Sequence, residues 1–282
     1  MLTRESNAAI EALVEKFSGN ISVRFKDIHN QTDYCLESGT VRPTASTIKL
    51  YILGAMMEQA QQGMCKLSDR ITVKSEVQVG GSGVLKDLLP GIELTICDIA
   101  TLMIVFSDNT ATNMMIDLIG GIEAVNKHIK NQGLQNSELR NRINFMEIGD
   151  DIRRLGVSTA DDFIIYLEKL ACGYIFDEDY TRATLNILSK QHYLDLFPRY
   201  LDHNPYATDL NMEQGVKIMN KTGFFPGVRC DVGLIELVGK HYAYAVLSDN
   251  CADLSFHMEN EASMLIGKIG RILYDSIEKD HT

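Results

Sequence analysis

Residues 216–248, VKIMNKTGFFPGVRCDVGLIELVGKHYAYAVLS, decide the architecture. The runs at 216–220, 229–238 and 241–248 have the alternation and the β-branched and aromatic content of strands, and the last two read as a hairpin joined at Gly239-Lys240. Near the other end of the chain, ISVRFKDI (21–28) and TDYCLE (32–37) alternate around a turn centred on Asn30 and predict a second hairpin. Five strands therefore bracket the middle of the chain.

The middle reads as helices. Thr95 and Asp98 form a capping box ahead of a helix that breaks at Ser107, and a second helix over 110–119 ends at Gly120-Gly121. Ser158 with Asp161 opens another that Gly173 terminates, and 179–190 is amphipathic. An opening helix places Ile10, Leu13, Val14 and Phe17 on one face, and a final helix over 258–276 presents Met264, Leu265, Ile269, Ile272 and Leu273 to the terminal strands. The expectation is an α/β (α+β) fold. An antiparallel five-stranded sheet flanked by helices is built from both chain ends, residues 1–44 and 212–282, and residues 45–211 form an all-helical part.

Composition narrows the function. With 282 residues, 45% hydrophobic content and a net charge of −11, the chain can bury a large core but offers no basic face for phosphates. Nucleic acid is not an expected partner; a small molecule is, bound by a monomer. The longest apolar run, Leu94 to Phe106, contains Asp98 and falls short of the roughly 18 residues that span a bilayer, so no membrane insertion is expected. The N-terminus has no hydrophobic leader, which fits either a cytoplasmic chain or a secreted one already trimmed. Six scattered cysteines and seven histidines show no ligand spacing. The cysteines read as buried thiols, and no metal or cofactor is expected.

Three short motifs carry the chemistry. In STIKLYILGAMMEQAQQ, Ser46 and Lys49 fall on one face at a helix start, where free N–H groups and the helix dipole can bind an oxyanion while the Ser46 hydroxyl attacks a carbonyl. A lysine among apolar neighbours such as Ile48 and Ile52 can be neutral part of the time and take the hydroxyl proton. Ser107-Asp108-Asn109 interrupts two helices and can aim side chains into a cleft: Ser107 to relay a proton to a leaving nitrogen, Asn109 to bind a substrate amide, Asp108 to brace the turn. Lys221-Thr222-Gly223, at the end of the 216–220 strand, offers an anion clamp with a close backbone approach, and the Phe224 N–H is a second oxyanion donor.

S-x-x-K, S-D-N and K-T-G in that order resemble class A β-lactamases and the wider penicillin-recognising serine hydrolases. The separations of 61 residues from Ser46 to Ser107 and 114 from Ser107 to Lys221 are similar to that layout, as are GSGVLKDLLPG at 81–91 and SDNTATNMMIDLIGG. The resemblance implies a site between the two parts of the fold and a β-lactam or acyl-peptide substrate. It also implies Arg229 as a partner for the substrate carboxylate. A second S-D-N at Ser248-Asp249-Asn250 follows K-T-G and is read as coincidence. The E-x-x-L-N context of the family's deacylating glutamate is absent; Glu147, in RINFMEIGDD, is the expected base, with Glu138 second. The expected activity is opening of β-lactam amides through an acyl-enzyme. The alternatives are a D-alanyl peptidase or esterase of the same fold, or a sensor that stays acylated.

Overall fold

The computed structural model describes residues 3–30, 33–207, 209–212 and 215–278. Helix α1 (Arg4–Val14) leads into β1 (Asn20–Asp27) and β2 (Asp33–Leu36); part of the turn expected around Asn30 lies outside the described residues. The middle comprises α2 (Lys49–Gln61), α3 (Ile96–Val105), α4 (Asn109–Leu118), α5 (Ile122–Asn131), α6 (Ala160–Ala171) and α7 (Glu178–Leu188), but it is not all-helical as expected: Arg70–Thr72 pairs with Glu93–Thr95, and Gly156–Ser158 pairs with both Glu138–Leu139 and Arg42–Pro43. Strands β3 (Lys217–Phe225), β4 (Val228–Leu237) and β5 (Lys240–Asp249) follow, and α8 (Glu261–Glu278) closes the described chain. The five strands form one antiparallel sheet in the order β2-β1-β5-β4-β3, with Phe25 opposite Tyr244 and Gly223 opposite Cys230. The expected fold class is the one observed.

Several boundaries move for identifiable reasons. The β4–β5 turn is Val238-Gly239, both at positive φ (49° and 73°), as a two-residue hairpin requires. Thr159 rather than Ser158 caps α6, accepting from the Asp162 N–H, whereas the Thr95/Asp98 capping box forms as expected. Asn260 accepts from the Ser263 N–H, so α8 begins after 260 rather than at 258. The K-T-G motif lies within a strand, not at its end: the β3–β4 ladder runs on to Phe225 opposite Val228.

The sheet separates two apolar clusters. One face packs Phe25, Ile235, Tyr244 and Val246 against Ile10 of α1, Phe197 and Ile269 of α8. The other turns Met219, Val232, Leu234 and Leu247 toward the helical block, whose centre is α2. Ten of the thirteen α2 residues are buried, so this is a core helix and its N-terminus is fixed from all sides. All six cysteines are free. Only Cys230 and Cys251 are buried, while Cys35 and Cys172 are exposed, which corrects the expectation of six buried thiols. Among the described residues no helix is long and apolar enough to cross a membrane.

Candidate active site

Ser46 sits in a 3-10 turn, Ala45–Ile48, that feeds directly into α2. Ala45 has φ 43° and Ser107, across the cleft, has φ 52°. Non-glycine residues in this region cost on the order of 1–3 kcal/mol each and persist where the surroundings over-determine them. At Ser107 the determinants are visible. The Asp108 carboxylate accepts from the N–H groups of Val84 (2.7 Å), Leu85 (2.8 Å) and Ala111 (2.9 Å), tying the 81–85 loop to the start of α4. Gly83 permits that approach, since a Cβ there would meet the Asp108 carboxyl carbon at 2.3 Å. Asp108 is thus the brace of the turn.

Lys49 is completely buried. Its Nζ donates to the Ser107 carbonyl (2.7 Å), the Ser107 hydroxyl (3.1 Å) and Asn109 Oδ1 (3.0 Å), and Asn109 in turn donates to the Gly80 carbonyl (3.0 Å). All three acceptors are neutral. Burial therefore holds the Lys49 ammonium well below its ordinary pKa, the nearby charge of Lys221 lowers it further, and Asp108 opposes both. The S-x-x-K and S-D-N motifs are joined by direct hydrogen bonds.

Strand β3 approaches the Ser46 turn as closely as backbone allows. A Cβ on Gly223 would meet the Thr44 carbonyl at 2.8 Å and the Ser46 N at 3.0 Å, so only glycine lets this edge strand lie against the turn. Lys221 is fully buried, donates to the Thr222 carbonyl (2.7 Å) and is pushed by burial down to about 7, with Asp231 acting against the shift. Asp231, also fully buried, is raised by burial to about 7 although Asn220 (2.9 Å) and the Phe197 N–H (3.0 Å) donate to it. The Thr222 hydroxyl is buried and makes no hydrogen bond among the described residues.

Ser46, Ser107 and Asn109 open onto a cavity of about 530 Å³. One wall is Ile143, Phe145, Ile148, Ile152 and Leu155; the other includes Tyr193, Phe224, Phe225, Pro226 and Phe256. The Asn113 side chain, one turn along α4, grips Ile143 at both backbone groups, donating to its carbonyl and accepting from its N–H, each at 2.9 Å. Asp195 is the single carboxylate among the described lining residues.

Three expected residues, Glu147, Glu138 and Arg229, are not among those lining this cavity. Glu147 is exposed on the single helical turn Phe145–Ile148; its carboxylate accepts from Asn141 (2.9 Å) and Asn144 (2.8 Å), and the apolar side of that turn faces the cleft instead. Glu138 is exposed as well and pairs with Arg140. The Arg229 guanidinium is buried behind the wall. It donates to the carbonyls of Phe225, Val228 and Ser255 and lies over the rings of Phe224 (5.3 Å) and Phe256 (4.8 Å), so it fixes the aromatic wall. The second S-D-N proves structural: Asp249, 1% exposed, pairs with Arg42 (2.8 Å) and with Arg153, anchoring the segment that carries the aliphatic wall. Sequence reasoning missed Asn113, Ile143 and Asp195; the irregular apolar positions of 143–155 were the available signal.

A serine at a helix-feeding turn, a buried lysine whose basicity burial lowers and a glycine-bearing edge strand thus meet around one cavity, the arrangement expected of a serine acyl-transfer site. The sequence profile of the Beta-lactamase enzyme family matches residues 5–277, and the chain belongs to that family. It is 26% identical to Beta-lactamase SME-1 of Serratia marcescens over 44% of this chain and 42% of that protein, and 26% identical to Beta-lactamase BRO-1 of Moraxella catarrhalis over 57% and 52%. The alignments span about half the length of these curated relatives. Among solved structures, a β-lactamase from Sphaerobacter thermophilus superposes with TM-score 0.84 at 28% identity, covering 96% of both chains. A leucine-to-glutamate variant of PBP-A, captured as its acyl-enzyme with penicillin G, superposes with TM-score 0.83 at 25% identity, covering 98% of this chain and 97% of that one.

Proposed function

We propose that the chain opens β-lactam amides by acyl transfer to Ser46. The Ser46 Oγ attacks the ring carbonyl while its proton passes to neutral Lys49. The oxyanion is received by the N–H groups of Ser46 and Phe224, and Ser107 passes a proton to the departing ring nitrogen. Lys221, Thr222 and Gly223 anchor the substrate's anionic end and Asn109 its amide. The observation that carries this reading is the burial of Lys49 among neutral acceptors, one helical turn from Ser46.

Release of the acyl group is the slow step in this reading. Hydrolysis of the Ser46 ester needs a base to activate water. Glu147 points to solvent, and the wall nearest Asn113 presents Ile143. A peptidase or sensor that holds its acyl group for long periods is the second reading, favoured by the same apolar wall. Intact-protein mass spectrometry during incubation with a penicillin, for the wild type and Ser46→Ala, tests the proposal. One adduct on wild type alone supports acylation, and its decay rate separates turnover from retention. An unmodified wild type overturns it.

A further inference from the structure

We infer that this site selects acyl donors whose acyl group is large and apolar, a medium-chain fatty-acyl or arylacetyl ester or amide. The inference rests on the proposed acylation of Ser46 and specifies its substrate class. The wall from residues 143–155 supplies Ile143, Ile148, Ile152 and Leu155, all less than 10% exposed yet lining the cavity that Ser46 opens onto. Phe145 and Phe256 extend the apolar surface to the mouth, where they are 43% and 64% exposed. Met146 and Met258, close to these two in sequence, are exposed as well. A volume of about 530 Å³ lies within the range of roughly 300–1,000 Å³ usual for small-molecule sites.

The wall is built in advance of the substrate. Asn113 clamps Ile143 from α4, the Thr44 N–H donates to the Gly156 carbonyl (3.1 Å), and Asp249 holds Arg153. An apolar group entering a preformed apolar site loses water without having to order the protein. The acyl portion, and not the leaving group, is assigned to this space because it stays bonded to Ser46 after the leaving group has gone. There its apolar bulk also keeps water from the ester. The step balances without a co-reactant: the Ser46 O–C bond forms, the bond from carbonyl carbon to leaving group breaks, and the Ser46 proton passes through Lys49 to the leaving group or solvent.

The test is a series of p-nitrophenyl esters, acetyl, butyryl, hexanoyl, octanoyl and phenylacetyl, read as p-nitrophenolate burst and as adduct mass on the full chain. Burial of each methylene is expected to raise the second-order acylation constant about threefold, giving roughly 700-fold over the six methylenes from acetyl to octanoyl if all are buried. The phenylacetyl arm separates aryl from alkyl selectivity, and a gain over acetyl in either supports the inference. Phe145→Ser with Phe256→Ser alters half-exposed positions without emptying the core and is expected to cut the octanoyl-to-acetyl ratio at least about tenfold. A series that is flat or falls with chain length overturns the inference while leaving acylation of Ser46 standing. A chain-length preference that persists in Ser46→Ala also overturns it, as nonspecific partition. Absence of any Ser46-dependent adduct, with esters or a penicillin, removes this inference and the proposed function together.

Discussion

The Nζ of Lys49 lies 2.7 Å from the carbonyl oxygen of Ser107 and 3.1 Å from its hydroxyl, which makes two motifs 58 residues apart one hydrogen-bonded unit. Because the acceptors are uncharged, burial leads in lowering the basicity of the amine, with the Lys221 charge adding to it and Asp108 opposing. A base must be deprotonated to act. The acylation rate is therefore expected to rise with pH along a limb whose midpoint lies well below that of an ordinary lysine, read from burst kinetics. Lys49→Arg, always protonated, is expected to lose about 100- to 10,000-fold. A pH-independent rate would contradict the role.

Gly223 is the point where β3 meets the Ser46 turn. Gly223→Ala inserts a methyl 2.8 Å from the Thr44 carbonyl, so the strand must move away and carry the Phe224 N–H with it. A loss of acylation of about 100-fold is expected, that of one oxyanion donor, with a stability cost of about 1–3 kcal/mol from overpacking. Equal acylation in the two proteins would show that β3 supplies no such donor.

Asp231 gives a pH signature in stability rather than rate. Its folded pKa is raised to about 7 by burial, against an ordinary value of 3.8. The folded state then holds a proton that the unfolded state has released, so this contribution is complete below pH 3.8 and is lost as pH rises through about 7. Lys221 has the opposite sign: its pKa is depressed to about 7 from 10.5, so its contribution is complete above 10.5 and lost as pH falls toward 7. Asp231→Asn is expected to flatten the decline in urea midpoint between pH 4 and 7. An unchanged slope would mean the carboxyl titrates normally.

Asp249 holds Arg42 and Arg153 from a site 1% exposed. Asp249→Ala leaves the buried Arg42 without its counter-charge and frees the segment bearing the aliphatic wall. Breaking a buried pair from one side costs about 3–5 kcal/mol, and thermal unfolding with and without bound penicillin measures it. A fall of less than 1 °C in Tm would show that the anchor is dispensable.

How far the sequence reaches depends on how local the signal is. The strands of β4 and β5 and the capping box at Thr95 are written in alternation and in residues three apart, and both were legible. The K-T-G strand was cut short at 220 because Gly223 and the Phe-Phe-Pro run break the alternation, although the ladder with Val228 to Cys230 carries the strand on. Ser46, Lys49, Ser107 and Lys221 could be singled out as candidates because the order of their motifs along the chain is unusual. Ile143, Asn113 and Arg153 were not, since their meaning arises from contacts across 30 and 96 residues. Glu147 lies off the cavity for the same reason: spacing put it near the cleft, and one helical turn decides which face of 145–148 looks inward.

A wall with no carboxylate can be changed by adding one. Ile143→Glu sets a carboxyl on the backbone that Asn113 already clamps, at a position lining the same cavity as Ser46. A shorter acyl-enzyme lifetime is expected, with the pH optimum of release displaced upward because an apolar site raises a carboxyl pKa. An unchanged lifetime, measured by decay of the adduct mass, would place the limit on release elsewhere.

The most direct test is the mass of the intact protein after brief mixing with a penicillin, followed by peptide mapping. The expected result is a single adduct of one penicillin on the peptide bearing Ser46, absent from Ser46→Ala and decaying slowly after excess reagent is removed. No adduct and no substrate loss, or an adduct that survives Ser46→Ala, would contradict the assignment of Ser46 as the acyl acceptor.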